Sequence, residues 1–99
     1  MRLSEEYRKA ISTTVAEIFG EQATVSLFGS RVDDNLRGGD IDLLVQSPVI
    51  VPGRQKKTLA LVARLQLQLG DQPIDVLLID PETELHSVHE EALSTGLIL

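Results

Sequence analysis

Two acids one residue apart, Asp40 and Asp42, follow a small-residue turn, Gly29-Ser30, after a nine-residue spacer that begins with Arg31. They open the run Gly39-Asp40-Ile41-Asp42-Leu43-Leu44-Val45. In an extended chain side chains alternate between faces, so Asp40 and Asp42 point one way and Ile41, Leu43 and Val45 the other. Their Cα atoms then stand about 6 to 7 Å apart, and the carboxylates can approach closer. Two like charges at about 5 Å repel by roughly 3 kcal/mol at an effective dielectric near 20. A bound divalent cation offsets that repulsion, because Mg²⁺ takes hard oxygen ligands, usually one or two carboxylates plus substrate phosphates. Solvation of both acids at an exposed strand start is the plainer alternative.

Val25-Ser26-Leu27-Phe28 reads as a strand running into Gly29-Ser30. Glycine lets the backbone turn tightly and approach a ligand, and Ser30 offers a hydroxyl and successive N–H groups to a phosphate. An ordinary strand-ending turn has the same composition. A third acid, Asp75, interrupts the apolar run Ile74 to Ile79, where a lone carboxylate is costly unless something pairs with it. The competing reading puts Asp75 at the exposed end of an edge strand.

Gly29-Ser30, the spacer, Asp40-x-Asp42 and a later strand-borne Asp75 resemble the signature of the DNA polymerase β-like nucleotidyltransferase superfamily, above all its minimal nucleotidyltransferases. The resemblance runs from about Thr24 to Ile79. It departs from common members at Val32-Asp33-Asp34-Asn35, where a second small or glycine residue often stands. The resemblance implies that Asp40 and Asp42 bind two Mg²⁺ ions carrying the nucleoside triphosphate. It gives Asp75 the third acid position, on the acceptor-side metal or as the group that takes the acceptor's proton. Gly29, Ser30 and Arg31 inherit the nucleotide contact. The reaction implied is in-line transfer of a nucleoside monophosphate from a triphosphate such as ATP to a hydroxyl, with release of pyrophosphate.

Charge narrows the acceptor. The chain of 99 residues carries a net charge of −6 and only three aromatic residues, Tyr7, Phe19 and Phe28. Tight nucleic-acid binding draws on Lys and Arg, and base stacking draws on aromatic rings, so neither is expected. Arg31, Arg37, Arg54, Lys56 and Lys57 make the middle of the chain locally basic. The length and a hydrophobic fraction of 42% suit one nucleotidyltransferase domain over 1–99, with one modest core. Without cysteine there are no disulfides or thiolate metal sites. The N-terminus has no signal-peptide pattern and no run is long enough to span a membrane, so a cytoplasmic protein is expected.

The elements that must position the acids can be placed. Ser4 caps a helix whose apolar positions Tyr7, Ala10, Ile11, Thr14, Val15, Ile18 and Phe19 recur at helical spacing, with Gly20 as its stop. Strands are expected over 24–28 and 40–45, joined by a polar loop with Arg37-Gly38-Gly39 as its flexible end. A helix over 54–69 carries Leu59, Val62, Ala63 and Leu69 on one side, with further leucines at Leu61 and Leu65. A strand over 74–79 follows, then a third helix opened by Asp80-Pro81 and closed by Gly96. His86 and His89 share a face of that helix, a spacing that can bind metal but reads more simply as surface, as does Glu90-Glu91. The order helix, strand, strand, helix, strand, helix specifies an α+β fold, a small mixed sheet backed by helices, in keeping with the polymerase β-like nucleotidyltransferase fold.

Relatives that modify RNA or small molecules generally carry further substrate-binding domains, which a chain of this length leaves no room for. The minimal nucleotidyltransferases it resembles include antitoxins that adenylylate a tyrosine of a HEPN-domain toxin. The resemblance therefore implies a Mg²⁺- and ATP-dependent protein adenylyltransferase paired with such a toxin. Two other readings keep the same fold: an antitoxin that neutralises by contact alone, and a nucleotidyltransferase for a small molecule that completes its pocket by homo-oligomerising.

Overall fold

The computed structural model describes residues 3–32 and 39–99. The spacer readings at Asp33-Asp34-Asn35 and Arg37-Gly38 lie outside the described residues. The elements run α1 (Glu5–Phe19), β1 (Thr24–Phe28), a 3₁₀ turn (Gly29–Val32), β2 (Ile41–Gln46), α2 (Arg54–Leu69), β3 (Ile74–Ile79), α3 (Ser87–Thr95) and β4 (Leu97–Ile98). The strands form one mixed sheet in the order β3-β2-β1-β4. β1 runs antiparallel to β2 and β4, whereas β2 and β3 are parallel, a pairing that needs a crossover, here α2.

Local chemistry sets α1 as expected. The Tyr7 N–H donates to Ser4 Oγ at 3.2 Å, satisfying one of the helix's orphan donors. Ile11, Thr14, Val15 and Phe19 are buried. On α2 the buried face matches the expected one only in part: Val62 and Leu69 pack against the core, but Leu59 does not. Leu61 and Leu65 are fully buried, while Leu59 is 68% and Leu67 88% exposed. Leucines at 59, 61, 65, 67 and 69 offer two stripes at helical spacing. The sheet takes the stripe in which Leu61, Leu65 and Leu69 follow one another at i, i+4.

The core lies between α1, α2 and one face of the sheet, where Val25, Leu27, Ile41, Leu43, Val45, Ile74 and Leu78 meet Ile11, Val15, Phe19, Leu61 and Leu65. By strand alternation Ser26, Phe28, Asp42, Leu44 and Asp75 point to the opposite face. Ser26 and Leu44 are cross-strand partners there and both are buried. A Cβ placed on Gly96 would stand 3.2 Å from Ser26 Cβ, so the end of α3 covers this part of the sheet.

Two expectations near the C-terminal end are corrected. Asp80-Pro81 does not open a helix, and α3 begins at Ser87 with His86 in the capping position. The Asp80 carboxylate is buried and committed elsewhere. It accepts from Val51 N at 3.0 Å, Glu82 N at 2.9 Å, Thr83 Oγ1 at 3.2 Å and Arg54 Nη1 at 3.0 Å. An aspartate that bonds the N–H two residues on closes a turn instead of starting a helix. His86 therefore precedes the helix, but its ring still lies beside that of His89, with centroids 5.8 Å apart, and the His86 N–H donates to His89 Nδ1 at 3.0 Å across the start of α3. The second correction is β4. The apolar Leu97-Ile98-Leu99 is not a simple tail, because Leu97 and Ile98 pair with Leu27 and Ser26, and Leu99 N donates to Val25 O at 2.9 Å.

Candidate active site

The carboxylates gather where β2 and β3 begin and β1 ends. In the β1–β2 register Asp42 stands opposite Phe28, and in the β2–β3 register it stands opposite Asp75. Parallel pairing thus makes neighbours of two acids that α2 separates in the chain. Asp42 is half-buried between fully buried Ile41 and Leu43. Asp40 lies just before β2 and is exposed, because the strand starts one residue later than expected.

Asp75 is exposed on β3, an edge strand. The expectation that burial would force a partner on Asp75 therefore fails. Its neighbour comes from strand register instead, because its face of the sheet at this end is not covered by α1 or α2.

The electrostatics follow. Burial pushes the Asp42 carboxyl above the usual aspartate range, and the charges of Asp75 and Asp40 and a hydrogen bond with Asp75 push it the same way. Three acids at one sheet end raise the cost of ionising the middle one.

Gly29 is part of this arrangement. Its φ of 77° lies in the left-handed region, and a Cβ there would come within 2.3 Å of Asp42 Oδ2. No side chain fits that position without moving the carboxylate, so the glycine is set by Asp42 as well as by the turn. Ser30 lies in the 3₁₀ turn directly after Gly29. Arg31 follows, and its Nη2 donates to Gly39 O and Gln72 Oε1, both at 3.1 Å.

Behind these residues is a polar network that sequence reasoning missed. Gln72 Nε2 donates to Tyr7 Oη at 2.9 Å and to Leu69 O at 3.1 Å, and Tyr7 Oη donates to Leu69 O at 3.2 Å. Tyr7 reads as one more apolar position of α1, and Gln72 falls between the helix and strand expected over 54–69 and 74–79. Neither type nor spacing marked them, since their partners come from distant parts of the chain.

Of the other basic residues of the middle region, Arg54 and Lys56 lie away from the acids. Arg54 pairs with Asp80 at the opposite end of β2 and also donates to Leu78 O. With Val51, Gly53, Gln55, Lys56 and Leu59 it lines a broad open groove there.

The donor set suits a divalent cation bound together with phosphates. Among the described residues no three His, Cys, Asp or Glu groups converge on one point. Asp42 and Asp75, with Asp40 alongside, offer the one or two carboxylates that Mg²⁺ takes when phosphates and water complete its shell. The register that sets Asp42 beside Asp75 is the observation that fits such an ion.

A search of curated proteins finds no match to this chain. The family model described as nucleotidyltransferase domain matches residues 8–97, from α1 to β4. That span includes the Gly29-Ser30 turn and all three acids. The chain therefore belongs to the nucleotidyltransferase domain family, within the DNA polymerase β-like superfamily.

Proposed function

We propose that this nucleotidyltransferase domain transfers AMP from ATP, with Mg²⁺, to a hydroxyl of a partner HEPN-domain toxin, and so acts as its antitoxin. The observation that carries the catalytic part is the pairing of Asp42 with Asp75 across parallel strands, with Gly29 leaving room for the Asp42 carboxylate.

Asp40 and Asp42, with Asp75, would hold Mg²⁺, which when bound neutralises phosphate charge and favours in-line displacement. The backbone around Gly29 and Ser30 lies beside Asp42, where a close-approaching turn can receive phosphate oxygens. In the transfer the acceptor oxygen bonds to the α-phosphorus and the bond from that phosphorus to the pyrophosphate oxygen breaks. The exposed position of Asp75 suits the group that takes the acceptor's proton. The net charge of −6 disfavours a nucleic-acid acceptor. The protein acceptor rests on the resemblance to minimal nucleotidyltransferases.

The test is to incubate the protein with a co-purified partner encoded by its neighbouring gene, Mg²⁺ and ATP labelled at the α-phosphate. Label on the partner, lost in Asp42→Asn, is the expected result. Neutralisation undiminished in Asp42→Asn, without label, would sink the catalytic reading in favour of neutralisation by contact. Label on a small molecule in place of the partner would overturn the protein acceptor.

A further inference from the structure

Arg31 follows the phosphate-sized turn directly, yet its guanidinium reaches across two strand starts. Gly39, whose carbonyl it binds, precedes Asp40. Gln72, whose side-chain carbonyl it binds through the same Nη2, lies two residues before β3 and three before Asp75. Between these contacts the Ile41 N–H donates to Pro73 O at 3.0 Å, the first backbone bond joining the two strands. Arg31 and this bond together fasten β2 to β3 at the end where the acids crowd.

Gln72 is well anchored for such a task. Its Nε2 is held by Tyr7 of α1 and the Leu69 carbonyl at the end of α2, and its own carbonyl accepts from Gln66 Nε2 at 3.1 Å. The amide can adopt only one orientation, because arginine only donates and a backbone carbonyl only accepts. The strap thus ends in two helices that the core already fixes.

We propose that Arg31 and Gln72 form a crossbar that holds the starts of β2 and β3 together against the repulsion among Asp40, Asp42 and Asp75. Arg31 is then a positioning residue for the acid pair rather than chiefly a phosphate ligand, and Gln72 is its anchor. The consequence for transfer rests on the proposed function above; the crossbar itself does not.

Hydrogen exchange at the Ile41 amide reads the crossbar without any activity. Arg31→Ala and Gln72→Leu should each speed that exchange about tenfold relative to amides in the middle of β2. The double variant should add less than the sum of the two single ones, because both remove the Arg31–Gln72 bond. Gln72→Glu, which keeps an oxygen for Arg31, should restore most of the protection.

In the transfer assay the Mg²⁺ concentration for half-maximal rate should rise several-fold in both single variants, with KM for ATP within about twofold of wild type. A raised KM for ATP in Arg31→Ala, with Gln72→Leu normal, would make Arg31 a phosphate ligand and overturn the proposal. Unchanged Ile41 exchange in both variants, or fully additive effects, would overturn it too. Should Gln72→Leu not fold, Arg31→Ala, which leaves the anchoring of Gln72 intact, carries the exchange measurement. Absence of transfer by the wild-type protein would count against the proposed function, while the exchange data would still decide the crossbar.

Discussion

Ionising the Asp42 carboxyl costs free energy in the folded state, and that cost has a sign. Its folded value is raised by burial first and by Asp75 and Asp40 next. Stability linked to Asp42 is therefore full below the ordinary aspartate range and is lost as pH rises through the raised value. Asp42→Asn should melt higher than wild type at neutral pH, and the difference should close in acid; thermal scans across pH check this. The same variant should lose transfer by at least about a hundredfold, the scale of removing a central electrostatic group. A side chain at Gly29 does the reverse on stability. Gly29→Ala must accommodate a φ of 77° and a 2.3 Å clash with Asp42 Oδ2, so it should cost roughly 1–3 kcal/mol in denaturant unfolding and displace the carboxylate. A stable Gly29→Ala protein with normal activity would contradict the close fit between turn and acid.

At the scale of elements, the faces and the locks can be tested separately. Leu65→Ala should cost about 2–5 kcal/mol, because Leu65 is fully buried under the sheet. Leu67→Ala, on the outer side of the same helix, should stay within about 0.5 kcal/mol. Urea titrations of the two variants would reveal a reversed helix face at once. Asp80 joins the end of β3 to the start of α2, and the bond from the Val51 N–H, ahead of those from Glu82, Thr83 and Arg54, holds its carboxyl below the usual range. Its stabilisation is present above the unfolded value and is lost as pH falls through the lowered one. Asp80→Asn should therefore lower Tm at neutral pH, with a penalty that shrinks in strong acid, opposite in sign to Asp42→Asn.

These elements also show what was legible in the chain. Ser4, Gly20, Gly53 and Gly70 bracket α1 and α2 as their types suggest, and the alternation in β1 and the apolar run of β3 gave those strands their bounds. Asp80-Pro81 misled because the signature of a helix cap is also that of a buried turn, and the bonds from Val51 and Arg54, far along the chain, help to hold Asp80 in the turn. β4 was hidden because a two-residue strand has no period of its own. The acids at 40, 42 and 75 could be singled out by type, but that Asp42 faces Asp75 is a matter of register, and the Tyr7–Gln72–Arg31 network left no local trace.

For the molecule as a whole, a ligand that relieves the repulsion at the acid end of the sheet should stabilise the entire fold. Mg²⁺ with ATP at about a hundred times its dissociation constant would add roughly 2.7 kcal/mol, equivalent to a rise in Tm of about 10 °C or more for a chain of this size. A calorimetric scan with Mg²⁺–ATP, Mg²⁺ alone and ATP alone separates joint binding from either component. An unmoved Tm at millimolar concentrations would mean that the folded site takes up no nucleotide.

The parallel pairing of β2 with β3 also places the site in time. Asp42 and Asp75 cannot repel until α2 has formed its crossover and β3 has docked, because in the unfolded chain they are far apart. Asp42→Asn therefore reports the order of assembly. If β3 docks after the rate-limiting barrier, the variant will unfold more slowly and fold at the wild-type rate; if it docks before, refolding itself will accelerate.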